Sequence, residues 1–307
     1  MSEGFNPADQ VPAADQVPAA DRVLTADRVL TARRVLVVSG GHSVDYPAFW
    51  AMFAALAAEH GWLCAYAVQP AAQQWLTPDA AGSWDVIVLH DIVGLHLRRG
   101  EPPVALPPTA DTVAALIALL DAGQPLVVTH HSLASWPTWD GWAAAIGGRF
   151  NYAPGRLRGV DWPSSGTYID TYTAQVVAPT HPVCDGVGDF ELTDELYCCP
   201  IFDEEVIPLV RSGADFSGAR FIRTYEHVVV GAEQAPDCLD HPPASNLIAW
   251  AKVAGRSPLV YIQPGDTAST FGNAPYRRLM ANAINWVAST AARSWAAANP
   301  TSIDVNS

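Results

Sequence analysis

Four short apolar runs recur along the first half of the chain: Val35-Leu-Val-Val-Ser39, Leu63 to Val68, Asp85-Val-Ile-Val-Leu-His90 and Pro125-Leu-Val-Val-Thr129. Between them lie two stretches of helical pattern, Pro47 to His60 and Ala110 to Ala122. A strand that is apolar at successive positions is buried on both faces, and parallel neighbours of that kind need a helical crossover to connect them. The alternation therefore predicts an α/β fold with a doubly wound, mainly parallel sheet. Ligands of such sheets sit beyond the carboxyl ends of the strands. Those ends are polar here, with Ser39-Gly-Gly-His42 after the first run, His90-Asp91 closing the third and His130-His131-Ser132 following the fourth. Three histidine-bearing loops are thus expected to open on one edge.

The second half is less regular. Asn151 to Tyr172, rich in glycine, proline and aromatics, reads as an insertion that covers the site. Order resumes at Tyr172 to Ala178, Glu205 to Arg211, Ser245 to Trp250 and Pro258 to Gln263. Asn273 to Thr290 reads as a closing helix with Asn273 as its N-cap. Ahead of the first strand, residues 8 to 31 repeat a six-residue unit, Ala-Asp-Gln-Val-Pro-Ala twice and Ala-Asp-Arg-Val-Leu-Thr twice. A period of six fits neither a helix nor a heptad, and Pro12 and Pro18 break the early copies, so residues 1–33 are expected to form a disordered repeat tail. One α/β domain should then span 34–291, with a loose polar tail over 292–307.

Charge narrows the partners. Seventeen basic against thirty-one acidic side chains give a net charge of −14, which excludes nucleic acid and anionic membrane for want of a basic stripe. Asp185 to Glu205 carries eight carboxylates with no lysine or arginine, either a solvated face or a place for a cationic ligand or metal. Five cysteines, odd in number and without a Cys-x-x-Cys pair, suggest neither a disulfide framework nor a zinc knuckle. A reducing cytosol fits them best. No signal sequence is evident and no apolar run approaches the roughly 20 residues that span a bilayer, so a cytoplasmic location is expected.

Within the acidic stretch, Thr180 to Tyr197 holds His181, Asp194, Glu195 and Tyr197, with glycines at 186 and 188 marking a loop. This set, together with Val35-Leu-Val-Val-Ser-Gly-Gly-His42, with His131-Ser132 before Trp139 and Gly147-Gly148, and with Trp250, Gly255-Arg256, Gly265, Asn273 and Asn282-Ala-Ile-Asn-Trp286, resembles the ThuA-like or trehalose-utilisation family. The resemblance covers roughly residues 34 to 290. It implies a flavodoxin-like fold related to the class I glutamine amidotransferases, and a role in bacterial catabolism of sugars, including disaccharides oxidised to keto sugars. Two departures stand out. The family's Gly-His near the last strand is Gly265-Asp266 here, and the segments Asn151 to Tyr172 and Glu226 to Pro243 are long.

Glutamine amidotransferases place a thiolate nucleophile in the turn after a central strand. Here that turn is Thr129-His130-His131-Ser132, without a cysteine, so amidotransfer is not the expected reaction. Ser132 lacks the flanking glycines of a serine elbow. His131 is the better candidate, as acid or base at a strand end, with Asp194 or Glu195 orienting it or sharing the proton. Neighbours on a strand face opposite ways, so only one of that pair should meet substrate, and His130 should likewise point away as a core histidine. His42, Tyr197 and Asp266 are expected to bind substrate. So are Trp136 and Trp162, whose rings can stack on a sugar, whereas Trp139 and Trp142 sit at core spacing. A divalent metal on His42, His90, His131 and Asp266 is the less favoured alternative, because no local ligand spacing supports it. The expected partner is therefore a small-molecule carbohydrate, with no resident cofactor and with homo-oligomers left open. A non-catalytic sugar-binding or regulatory module fits the missing cysteine equally well.

Overall fold

The four apolar runs are strands β1 (Arg34–Gly40), β2 (Leu63–Val68), β3 (Val86–Asp91) and β4 (Leu126–Thr129) of one ten-stranded sheet. In this computed structural model residues 32–98, 100–225 and 237–304 are described; the hexapeptide repeat and most of the long Glu226 to Pro243 segment lie outside them. β1 pairs in parallel with β2 and β3, and β3 pairs in parallel with β4. Helix α1 (Tyr46–His60) joins β1 to β2, and α2 (Ala110–Asp121) precedes β4. The Asp45 side chain accepts from Ala48 N to start α1, and Gly61, in a left-handed conformation, ends it with its N–H on Ala57 O.

The strands are continuously apolar because each feeds two cores. Val35 and Val37 pack with Phe49 and Phe53 of α1, while Leu36 and Val38 pack with Val113 and Leu116 of α2. A substitution such as Phe53→Ala, at a fully buried position, removes about 3–5 kcal/mol of that packing.

The other half of the sheet makes it a mixed one, antiparallel where the first half is parallel. It comprises β5 (Gly166–Val176), β6 (Phe190–Cys198), β7 (Ile207–Ser212), β8 (Leu247–Ala254) and β9 (Ser257–Ile262), in the overall order β6-β5-β7-β8-β9-β4-β3-β1-β2, with the two-residue strand Ile222–Arg223 as the tenth, off this path and paired with β5. Only β9 is parallel to its inner neighbour β4; the pairs β8–β9, β7–β8, β5–β7 and β5–β6 are antiparallel. The sheet is mixed because the short Gly255-Arg256 turn, with Gly255 at φ +61°, admits only an antiparallel partner for β8.

Thr180 to Tyr197 is also more regular than expected. His181 accepts from Val183 N and packs on Trp286 at 4.7 Å, a capping role remote from chemistry. Phe190–Cys198 is an edge strand whose Phe190, Leu192 and Asp194 are buried while Glu191 and Thr193 are exposed. At the other end, after α3 (Asp140–Ile146) and α4 (Ala268–Gly272), Asn273 caps α5 (Ala274–Val287), followed by α6 (Thr290–Ala298) where a loose tail was expected. Ala292 and Ala296 of α6 are buried, Thr301 N donates to Gly255 O at 2.9 Å, and Asp304 O accepts from Trp139 Nε1 at 3.1 Å. Among the described residues no helix is long and apolar enough to cross a membrane.

Candidate functional site

Directly after β4 the chain tightens into a single turn, His130–Ala134, and His130 takes a left-handed conformation at φ +51°. That geometry costs a non-glycine residue about 1–2 kcal/mol and is held by local bonds. His130 Nδ1 lies 2.9 Å from Gln263 O, and the His130 carbonyl accepts from Tyr261 OH at 2.8 Å. The strand alternation that would have sent His130 away from His131 does not apply inside the turn. Both imidazoles converge, with ring centroids 4.1 Å apart.

The edge strand β6 brings the carboxylates. Asp194 Oδ2 accepts from Gly265 N at 3.1 Å, from Asp266 N at 3.3 Å and from the Thr270 hydroxyl, while its Oδ1 accepts from Glu195 N at 2.7 Å. Asp194 thus ties β6 to the turn after β9, fully buried and away from the cavity. Glu195, one residue on, points the other way. Its Oε1 accepts from the Thr167 hydroxyl at 2.7 Å, and its Oε2 stands 3.5 Å from His131 Nε2 and 3.9 Å from His130 Nε2. Oε2 is shielded from solvent yet has no hydrogen-bond partner. Tyr197 lies behind both histidines, its hydroxyl 2.9 Å from His130 Nδ1 and 3.1 Å from His131 Nδ1. Asp266 Oδ1 is 3.8 Å from His130 Nε2, an ion-pair distance.

The first and third strands complete a four-imidazole cluster. His42 lies 4.8 Å from the His131 ring and 5.2 Å from that of His90. His90 is fully buried, stacked at 4.4 Å on Phe49, with Nδ1 2.8 Å from Thr129 Oγ1 and Nε2 without a partner.

Charge is unevenly distributed among these rings. For His130, burial works against the protonated form, but Asp266, Asp194 and Glu195 outweigh it and raise its pKa. Burial lowers the pKa of His131 well below the ordinary value, and His130, His42 and His90 add to the effect. Burial, followed by His130, lowers His42 to about 4. The Glu195 carboxyl is raised by burial against the pull of His130, and the bond to His130 lowers Asp266. The carboxylates thus favour the proton on His130, and burial disfavours it on His131 and His42 beside it.

These groups face a cavity of about 720 Å³. His42, His131, Glu195 and Asp266 line it, with Phe150, Tyr152 and Thr167 from in and around the insertion forming one wall. Tyr152 and Thr167 were not anticipated; their signal is no more than a tyrosine and a threonine in an aromatic-rich insertion. Trp136 and Trp162 are not brought to this cavity. Trp136, itself at φ +51°, packs against Gly94, where a Cβ would stand 2.5 Å from its ring. Trp162 packs on His241 at 5.6 Å and lines a separate cleft with Cys199 and Asp203. Trp139 and Trp142 are core residues, 3 % and 4 % exposed. Nor do His42, His90, His131 and Asp266 gather as ligands. Among the described residues the group within ligand range is His130, His131 and Glu195, whose donor atoms all lie within 4.8 Å of one another.

Solved structures share this architecture. A ThuA-like protein from Bacteroides uniformis superposes with a TM-score of 0.55 at 14 % identity, over 84 % of this chain and 92 % of the other. A second, from Parabacteroides merdae, gives 0.57 at 12 % identity, over 84 % and 90 %. No curated protein matches the chain. The family model described as trehalose utilisation, ThuA, matches residues 34–287, most of the chain and every strand of the site, and the protein belongs to that family.

Proposed function

We propose that the cavity takes a sugar or keto-sugar derivative and that His131, with Glu195, moves a proton on it, in a hydrolase or isomerase reaction of carbohydrate catabolism. The observation that carries this reading is geometric: His131 and Glu195 line the cavity with Glu195 Oε2 3.5 Å from His131 Nε2, and the His130 ring stands 4.1 Å from that of His131. An imidazole at the cavity wall can exchange a proton with the substrate, and a neighbouring ring on which carboxylates favour positive charge can stabilise negative charge that develops on the substrate oxygen. Glu195, 3.5 Å from His131 Nε2, is placed to orient it or to relay the proton. The cavity of about 720 Å³ suits a molecule of disaccharide size. The family's description as trehalose utilisation supports the substrate class.

Asp194 is assigned a positioning role, since it holds the Gly265-Asp266 turn and does not line the cavity. Amidotransfer is set aside because the residue at the turn is His130, which supplies no thiolate. The parallel half is read as flavodoxin-like, which the order β2-β1-β3-β4-β9 supports. Five free cysteines support a reducing, cytoplasmic setting.

A thermal-shift panel of disaccharides and keto sugars tests the substrate class. A ligand present at about 100 times its dissociation constant adds about 2.7 kcal/mol to stability. Turnover of a responding sugar should then fall in both His131→Ala and Glu195→Gln. Unchanged turnover in the two variants would remove His131 and Glu195 from the chemistry.

A further inference from the structure

We propose that His130, His131 and Glu195 form a binding site for one divalent transition-metal ion of the zinc, iron or manganese kind. The inference rests on the reading of this cavity as the substrate site and concerns what the cavity holds besides substrate.

Three features of the geometry carry it. First, both histidines turn Nε2 toward the same carboxylate oxygen, at 3.5 and 3.9 Å. A tetrahedral ion with bonds of about 2.1 Å keeps its ligand atoms about 3.4 Å apart, and these donor atoms, all within 4.8 Å of one another, reach that spacing by side-chain shifts of about 1 Å or less. Second, the outer nitrogens are already engaged. His130 Nδ1 lies 2.9 Å from Gln263 O, and the Tyr197 hydroxyl contacts Nδ1 of both rings at 2.9 and 3.1 Å. An outer nitrogen held by a carbonyl or hydroxyl fixes a ligating imidazole so that Nε2 faces the ion. Third, Glu195 divides its two oxygens. Oε1 takes the Thr167 hydroxyl, while Oε2, shut off from solvent between two imidazoles, has no donor at all. A buried carboxylate oxygen without a donor is an unusual arrangement that a cation would satisfy.

Two imidazoles and one carboxylate leave coordination positions open, and the cavity lies on that open side, where His131 and Glu195 form part of its wall. An ion there acts as a Lewis acid on a carbonyl or hydroxyl of the sugar. With the ion bound, His131 and Glu195 act as ligands, and Asp266, on the same wall, becomes the group that exchanges protons with the substrate. Proton transfer by His131 itself is the chemistry of the metal-free protein.

The test is a Co2+ titration of the full chain after EDTA treatment, read by visible absorption and by calorimetry. One Co2+ per chain with ligand-field bands is expected. The dissociation constant should weaken at least about 100-fold in the isosteric Glu195→Gln and in His131→Ala, and about 10–100-fold in Tyr197→Phe, which leaves all three ligands in place. His241→Ala, which removes a histidine packed on Trp162 and outside the proposed site, should bind as the parent does. Absence of Co2+ binding at millimolar metal, or binding that survives both Glu195→Gln and His131→Ala, overturns the proposal. A sugar-induced thermal shift in metal-stripped protein that does not bind Co2+ defeats this inference alone. Co2+ binding without any sugar response supports it and defeats only the sugar reading.

Discussion

Replacing Gly41 by alanine isolates how closely the His42 loop is held against the end of β3. Gly41 has φ +84°, and a Cβ built on it meets Ile92 O at 1.9 Å and Ile92 C at 2.8 Å. Carbon–oxygen contacts settle at about 3.3 Å, so the two loops would have to part by more than about 1 Å. Ile92 is only 2 % exposed, and its N–H donates to Gly40 O at 2.9 Å, a bond that such a separation breaks. A left-handed alanine costs about 1–2 kcal/mol and the broken buried bond about 1–3 kcal/mol more, which sums to about 3 kcal/mol. In a domain of this size that lowers Tm by about 6–12 °C. Gly61→Ala supplies the comparison, because Gly61 has φ +68° but no atom within 4 Å of its added Cβ. It should lose only the conformational cost of about 1–2 kcal/mol, or about 2–8 °C. Scanning calorimetry of the two variants beside the parent decides the matter. If Gly41→Ala loses no more than Gly61→Ala, the tight apposition of the first and third strand ends is wrong, and with it the placement of His42 beside His131.

Asp194→Ala strips the acceptor from Gly265 N, Asp266 N and Glu195 N, and should lower stability by about 3 kcal/mol as well as abolish any sugar-induced thermal shift. Lys252, 5 % exposed and donating to Ala144 O, has its pKa lowered by burial from 10.5 to about 8. The unfolded chain therefore holds that proton through a window in which the folded chain has released it, so stability rises with pH between about 8 and about 10.5. In Lys252→Met the rise should shrink by about 3 kcal/mol relative to the parent in urea titrations at the two pH values. Trp162→Ala should leave a sugar-induced shift unchanged, because the ring lies in the separate cleft; loss of the shift would return Trp162 to the binding site. Truncation after Ser289 removes α6 and exposes Trp139 and Gly255, and should lower Tm by several degrees where a loose tail would have left it alone.

The parallel half of the sheet is written in the sequence because burial on both faces demands uninterrupted apolar residues, as in Val86 to Leu89. The antiparallel half is not. β6 alternates buried and exposed side chains, a pattern that names a strand but not its partner, and the hairpin of β8 and β9 hangs on one glycine turn. α6 escapes notice for a different reason. Besides Trp295 against Trp286 and Arg293 donating to Asp85 O, it buries only two alanines, too narrow an apolar stripe to register as a helix face.

At the site the same alternation rule succeeds at one pair and fails at another, and the difference is local geometry. Asp194 and Glu195 lie in a regular strand, so opposite faces follow, one carboxylate bonded to the Gly265 turn and the other aimed at the histidines. Which of the two meets the cavity depends on how the edge strand returns across the sheet, a long-range contact that no spacing encodes. His130 and His131 look like the same case but stand just past the strand end, where φ +51° at His130 turns the chain and puts both rings on one side. The strained position at this turn is held by an imidazole, and its own bonds to Gln263 and Tyr197 fix its orientation. A residue kept in a costly conformation and surrounded by groups that hold its ring is better explained by what its Nε2 does than by packing, since a glycine would fill the turn without the strain.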